Sequence, residues 1–259
     1  MAVFGGDHFI AAKFIAPTIP SWIPWHRFWT YSVGTALIAA ALSLVTKQHS
    51  LLAATLLSAM LFSFVLLIHT PNLAANRHDR ILFAIVLRDT SFSAGAMACA
   101  LAQADAWPKR LASGLTIVVR WAIAIPTVVF GVEHFLFPQS VPVIPLKQLM
   151  PPWIPGHMAL SYATGAVMIA CGLCLLFNWR AHQAATWLGI VVFAVVMLVY
   201  FPIMAAKMSD IGNGLNYFAD TLVFSGVALL LARVLPSGEL AKVTVPSRTE
   251  SAVRVGVSG

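Results

Sequence analysis

Long apolar runs dominate this sequence and limit the structures that it can form. Seven of them approach the roughly 20 residues that an α-helix needs to cross a bilayer. They cover approximately residues 28–46, 51–70, 81–103, 113–137, 157–178, 184–204 and 216–235. Because backbone amides in lipid must find their partners within the chain, such runs predict transmembrane helices.

The composition agrees with a membrane protein. Hydrophobic residues make up 59% of the 259 residues and charged residues only 10%, with a mean hydropathy of +0.85. In soluble domains about a quarter of all residues are charged. The net charge is +7, but Lys and Arg stand singly or in pairs between apolar runs and form no basic face. We therefore predict the lipid bilayer as a partner and no nucleic acid.

The chain also contains an internal duplication. The segment FGGDHF at 4–9 recurs as FGVEHF at 130–135, which is 126 residues later. WIP at 22–24 recurs at 153–155, now 131 residues later, because the second copy has five more residues in the intervening loop. Several later pairs keep the register of 131: His26 with His157, Tyr31 with Tyr162, Gly34 with Gly165, Pro71 with Pro202, Asp79 with Asp210 and Asp89 with Asp220. A fixed register over so many landmarks indicates two copies of one structural unit.

The predicted fold class is all-α: a polytopic transmembrane protein made of two parallel repeats of a four-helix bundle. Residues 1–104 form the first repeat, 105–112 a linker, 113–235 the second repeat and 236–259 a disordered tail. Four spans per copy is an even number, so both copies enter the membrane from the same side. FGGDHF begins at residue 4, which predicts that the first helix of the first repeat is truncated; we favour a true start upstream of Met1.

Basic residues set the predicted orientation. If the spans alternate, the side with the linker and the tail carries eight Lys and Arg residues and the other side six. The positive-inside rule then predicts a cytoplasmic C-terminal tail in a multi-pass protein of the cell membrane.

Acidic, histidine and aromatic side chains are predicted to meet at one membrane face in each copy. Ionisable groups at membrane depth usually face a bundle interior or a cavity, which makes them functional candidates. The candidate catalytic acids are Glu133, Asp220, Asp7 and Asp89. The candidate substrate-binding or quinone-binding residues are His134, His157, His8, His26, Trp153 and Tyr200. An equally weighted alternative is that these residues cap helices and anchor loops at the interface. The histidine spacing matches no local metal motif, so we predict no metal site.

Two arginines lie inside apolar runs. Arg120 has no charged neighbour in sequence, so we expect its side chain to extend to the near headgroups, with a buried partner as the alternative. Arg88 adjoins Asp89, but successive helix residues point about 100° apart and need not pair with each other. A second partner for Arg88 across the bundle is therefore plausible.

The sequence resembles the DoxX-like family of integral membrane proteins. The resemblance rests on three motifs of the second copy: Gly131, Glu133, His134 and Phe135; the proline-rich loop Pro151 to His157; and the stretch from Asp220 to Gly226. It extends to about residue 235, as two fused copies of the family's four-helix unit. The first copy departs from the pattern in lacking most of its first span and in having Asp7 where the second has Glu133.

The resemblance implies a subunit associated with a quinone-linked redox system in the bacterial inner membrane. Quinone is then the candidate cofactor, and other redox-complex subunits or a second copy of the chain are candidate partners. A non-enzymatic small-solute transporter or a membrane assembly protein is the alternative. Whether the chain is itself an enzyme stays open at this point.

Overall fold

A computed structural model describes residues 1–103, 106–206 and 211–237, and this part of the chain is helical with no β-strand. Its eight main helices are α1 (Ala2–Ile10), α2 (His26–Thr46), α3 (Ser50–Ala75), α4 (Arg80–Leu101), α5 (Lys109–Leu136), α6 (His157–Leu176), α7 (Ala181–Ala206) and α8 (Ile211–Val234). A short helical turn, Ala12–Ile15, and a 3-10 turn, Ala16–Thr18, lie between α1 and α2.

Seven of these helices are long and apolar enough to cross a membrane, which confirms the seven predicted spans and the all-α class. The exception is α1, whose nine residues are too few to span. Pro108 precedes α5, so the last four residues of the predicted linker are the first turn of a helix. Asp210 and most of the predicted tail lie outside the described residues.

Both α3 and α7 contain one π-helical turn near the C-terminal end. These turns are Val65–His69 and Val196–Tyr200, and they lie 131 residues apart. Each is followed at once by an α-helical turn with proline at its second position, Pro71 or Pro202. A π-turn often marks a functional segment of a helix, because it shifts the side chains that follow it around the axis.

Helix pairs in the two halves of the chain make matching contacts. Helix α1 packs on α2 as α5 packs on α6, and α3 packs on α4 as α7 packs on α8. The rings of Phe9 and Tyr31 stack at 5.6 Å, and those of Phe135 and Tyr162 at 5.5 Å. Helix α4 also packs on both α5 and α8, so it joins the two halves.

Glycines set the close approach of α5 and α6. A Cβ atom on Gly165 would lie 2.8 Å from the carbonyl oxygen of Gly131 and 2.7 Å from the Cβ atom of His134. Gly5 and Gly34 have the same relation between α1 and α2. Small residues at such crossings allow the backbones of membrane helices to approach each other.

We expect Gly165→Ala to destabilise the protein by about 1–3 kcal/mol, because the new methyl group forces α5 and α6 apart. Unfolding in detergent monitored by circular dichroism measures the change. Gly114→Ala in α5 is the control, since a Cβ atom there meets nothing within 4 Å. Equal unfolding midpoints for the two variants would contradict the close packing.

Arg120 corrects one prediction. Its side chain is buried and does not extend to headgroups; it donates to the carbonyl oxygens of Leu175 and Leu176 at the end of α6. The last carbonyls of a helix lack intrahelical donors and carry partial negative charge. The guanidinium therefore caps α6 from the neighbouring helix.

The loop from residue 137 to 156 is long and folds inward, and we call it the inward loop. Val141, Val143 and Ile144 in this loop are almost fully buried. Ser140 and Leu149 form one isolated β-bridge across its base. The loop is thus part of the protein core.

Candidate functional site

A large cavity lies among α1, α2, α3, α4 and the segment that joins α1 to α2, with the start of α8 completing its wall. Its volume is about 1020 Å³ and most of its lining is apolar. Several of its lining residues are aromatic: Phe4, Trp22, Trp25, Trp29, Phe64 and Phe92. This size and lining are typical of sites for small, largely apolar ligands. Most of its lining residues belong to the N-terminal half of the chain, and Asn216 and Asp220 of α8 complete the wall.

Four charged or ionisable side chains on the cavity wall are linked by ion pairs, and we call them the ion cluster. They are His69, Arg88, Asp89 and Asp220. Arg88 donates from Nε to Oδ1 of Asp89 at 2.8 Å and from Nη1 to Oδ2 of Asp220 at 3.1 Å. His69 donates from Nε2 to the other oxygen of Asp89 at 2.8 Å. Charge-assisted bonds of this kind are stronger than neutral ones.

The ion cluster has two carboxylates and one guanidinium. Asp89 and Asp220 are only 8% and 6% exposed, so their charges depend on their partners rather than on water. The charges balance when one further proton is held, either on His69 or on a carboxyl group. The ion cluster thus places a histidine and two carboxyl groups, side chains of the kinds that transfer protons in proteins, on the wall of the cavity.

Helix α1 adds two polar groups to the same wall, Asp7 and His8. His8 Nδ1 lies 2.7 Å from the carbonyl oxygen of Phe4, which can only accept, so Nδ1 carries a proton and donates it. In the neutral ring Nε2 then keeps its lone pair as an acceptor. Asn216 on α8 lines the same cavity.

The structure brings four of the ten predicted site residues to the cavity: Asp7, His8, Asp89 and Asp220. The other six do not line it: Glu133, His134, His157, His26, Trp153 and Tyr200. Four of these six belong to the end of α5, the end of the π-turn in α7 and the loop before α6. The second copy therefore does not repeat the cavity in its full form.

Glu133 is buried beside an arginine from the first copy. Arg80 Nη1 lies 3.9 Å from Glu133 Oε2 and donates to the carbonyl oxygens of Pro145 and Leu146 at 2.5 and 3.3 Å. The same guanidinium lies 4.3 Å from the centre of the Phe137 ring. Glu133 Oε2 has no hydrogen-bond partner within the described residues. Arg80 thus places a positive charge near Glu133, and its hydrogen bonds to two backbone carbonyl groups hold the inward loop.

His134 and Tyr200 both bind the backbone of the inward loop. The Val143 N–H donates to His134 Nε2 at 2.8 Å, so Nδ1 carries the ring proton and donates to the Phe130 carbonyl oxygen. The Tyr200 hydroxyl donates to the Pro142 carbonyl oxygen. In this structure the ring nitrogens of His134 are therefore both engaged by backbone groups.

The remaining three predicted residues lie nearer the surface. His157 is half-buried, with Nδ1 3.4 Å from the carbonyl oxygen of Ile154. His26 begins α2 and is also half-buried, and Trp153 is largely exposed. These positions agree with the alternative in which such residues anchor loops.

Two members of the ion cluster, Arg88 and His69, were not among the predicted site residues. Arg88 pairs both with Asp89, a pairing that the sequence left open, and with the expected second partner across the bundle, Asp220. Its counterpart in the second copy is Ala219. A charged residue inside an apolar run, at a position where the other copy has alanine, is the sequence signal that could have identified Arg88.

Comparison of the chain with protein-family models, with curated proteins and with solved structures returned no match. Among the described residues, no group of three or more His, Cys, Asp or Glu side chains could hold a metal ion.

Proposed function

We propose that this integral membrane protein binds a quinone in the first-copy cavity and serves as a subunit of a quinone-linked redox system. The observation that carries the proposal is the combination of a mostly apolar, aromatic-lined cavity of about 1020 Å³ with an ion cluster on its wall. A quinone needs the same combination: an apolar surface for its ring and tail, and polar groups for its two oxygens.

The ion cluster and His8 would handle protons in this reaction. Reduction of a quinone to a quinol takes up two electrons and two protons, one proton for each ring oxygen. His69, Asp89 and Asp220 would pass protons toward the ring, and His8 Nε2 would hydrogen-bond a hydroxyl of the quinol. The electrons would come from a partner redox subunit, which the proposal requires.

The proposal extends to the architecture and the family. The matching π-turns, glycine contacts and ring stacks support two parallel repeats of a four-helix bundle, with the DoxX-like family as the proposed relationship. The proposed location is the bacterial inner membrane with a cytoplasmic C-terminal tail. A second copy of the chain remains a proposed partner beside the redox subunits.

Filling the cavity should abolish quinone binding without changing any ionisable group. We expect Met60→Trp, on the α3 wall of the cavity, to weaken binding of a short-chain ubiquinone analogue at least about tenfold, because the larger ring occupies the space. Quinones quench tryptophan fluorescence, and Trp22, Trp25 and Trp29 line the cavity. A fluorescence titration of the purified protein in mild detergent therefore measures the affinity.

Val191→Trp is the matched control, since Val191 is the counterpart of Met60 at the register of 131 and does not line the large cavity. This variant should bind the analogue like the unmodified protein. Equal loss of binding in both variants, or no saturable quenching in the unmodified protein, would count against quinone binding in this cavity.

A small-solute transporter is the second candidate, and the π-turns favour it. Transporters commonly bind their substrates where spanning helices are interrupted. The interruption in α3 ends at His69, inside the ion cluster. Asp220→Asn distinguishes the two functions: loss of quinone-linked electron transfer supports the redox subunit, and loss of solute uptake with unchanged electron transfer supports the transporter.

A further inference from the structure

The second copy contains a remnant of the first-copy cavity. A small apolar cavity of about 220 Å³ lies between α6 and α7. It has nine lining residues, and each lies 131 positions after a residue that lines the large cavity. Leu160 corresponds to Trp29, for example, and Val191 to Met60. The two cavities therefore occupy equivalent places in their copies.

What the remnant lacks is the polar end of the site. The only hydroxyl-bearing residue on its wall is Thr164, and neither His134 nor Tyr200 reaches it. Their counterparts in the first copy, His8 and His69, both line the large cavity. The missing volume therefore lies on the side of His134 and Tyr200.

The inward loop fills that side. The peptide unit between Pro142 and Val143 accepts a hydrogen bond from Tyr200 through its carbonyl group and donates one to His134 through its N–H. The neighbouring apolar side chains of Val141 and Ile144 are at most 1% exposed. The peptide group thus satisfies the hydrogen bonds of both polar side chains. Its apolar neighbours exclude water from this end of the site.

The backbone is strained at this contact. Val143 has φ of +77°, a region that β-branched residues rarely adopt. Ile144 N–H donates to the Pro142 carbonyl oxygen at 3.2 Å, which closes a three-residue γ-turn around Val143. The surrounding contacts must stabilise this turn, since an isolated chain would not keep it.

We propose that the loop from 137 to 156 is a built-in occupant of the second copy's binding site, so that each chain binds one ligand, in the first copy only. The loop is the segment that the second copy lengthens by five residues. Displacing Pro142 and Val143 opens a second site beside Glu133 and His134. This site takes the same class of molecule as the first cavity, an apolar ring compound with a polar end; only the ligand class rests on the proposed function.

Cysteine labelling tests the proposal without any quinone. Leu37 lines the first-copy cavity, and its counterpart Met168 does not line the remnant. The two side chains are 3% and 1% exposed, so contact with a cavity and not exposure at the protein surface distinguishes them. In a chain whose Cys99, Cys171 and Cys174 are replaced by serine, we expect N-ethylmaleimide to label Leu37→Cys at least tenfold faster than Met168→Cys. Equal rates with the native loop would overturn the proposal.

Two substitutions at Val143 then test whether the loop occupies the second site. Val143→Pro removes the N–H that binds His134 and cannot adopt a positive φ, so it should raise the labelling rate of Met168→Cys toward that of Leu37→Cys. Val143→Gly keeps the N–H and suits the positive φ, so labelling of Met168→Cys should stay slow.

The control for correct folding is the double variant Val143→Pro with Leu37→Cys. Its labelling rate should equal that of Leu37→Cys with the native loop. If Met168→Cys stays slow in a folded Val143→Pro protein, the loop is not the occupant and the proposal is wrong. If Val143→Pro does not fold, the comparison of Leu37→Cys with Met168→Cys in the native loop still decides whether the second site is closed. If the labelling rates are as expected but the quinone titration shows no binding, only the proposed function is overturned.

Discussion

Replacing Arg88 with leucine is expected to destabilise the protein by about 3–5 kcal/mol, the largest effect of any single substitution considered for the ion cluster. Arg88 is the shared counter-ion of Asp89 and Asp220, and it joins α4 of the first copy to α8 of the second. Without it, two buried carboxylates face each other with only His69 beside them. Unfolding in detergent, followed by circular dichroism, measures the loss.

The control is Arg110→Leu, which removes an exposed arginine at the start of α5 and should change stability little. The double variant Arg88→Leu with Asp220→Asn should recover part of the lost stability, because it removes one of the two unpaired charges. A stability of Arg88→Leu equal to that of Arg110→Leu would contradict the ion cluster.

The second large effect is expected at His134. His134→Ala leaves the buried Val143 N–H without an acceptor and removes one of the side chains that hold the inward loop. An unsatisfied buried group costs about 1–3 kcal/mol, and the lost packing of a 1% exposed ring adds to it. We therefore expect clear destabilisation and faster proteolysis within the loop.

His8→Ala is the matched variant in the first copy. His8 has the same bond to the carbonyl oxygen four residues earlier, but it lines the cavity, and among the described residues its Nε2 accepts no backbone N–H as His134 Nε2 does. This substitution should leave stability nearly unchanged and weaken binding of the ubiquinone analogue. Equal destabilisation by the two substitutions would show that the copies are structurally alike at this position, against the asymmetry described above.

The sequence was sufficient to predict the spans, because each is a continuous apolar run. The register of 131 is also read directly from the chain, and the pairs of equivalent residues that it relates stay a prediction. Asp89 and Asp220 are only 8% and 6% exposed, and a charge inside an apolar run needs a polar surrounding.

The asymmetry between the copies could not be predicted in the same way. Five extra residues in a loop do not reveal whether the loop lies on the surface or folds inward; here that depends on His134 and Tyr200, which are distant in sequence from each other. The partner of Arg120 was missed for a similar reason, because carbonyl groups at a helix end carry no sequence signal.

The most direct test of the central claim is the stoichiometry of the ubiquinone-analogue titration on the purified protein. We expect saturable quenching with one equivalent bound per chain, with binding at least about tenfold weaker in Met60→Trp and unchanged in Val191→Trp. The absence of saturable binding, or binding that Val191→Trp removes and Met60→Trp does not, would contradict it.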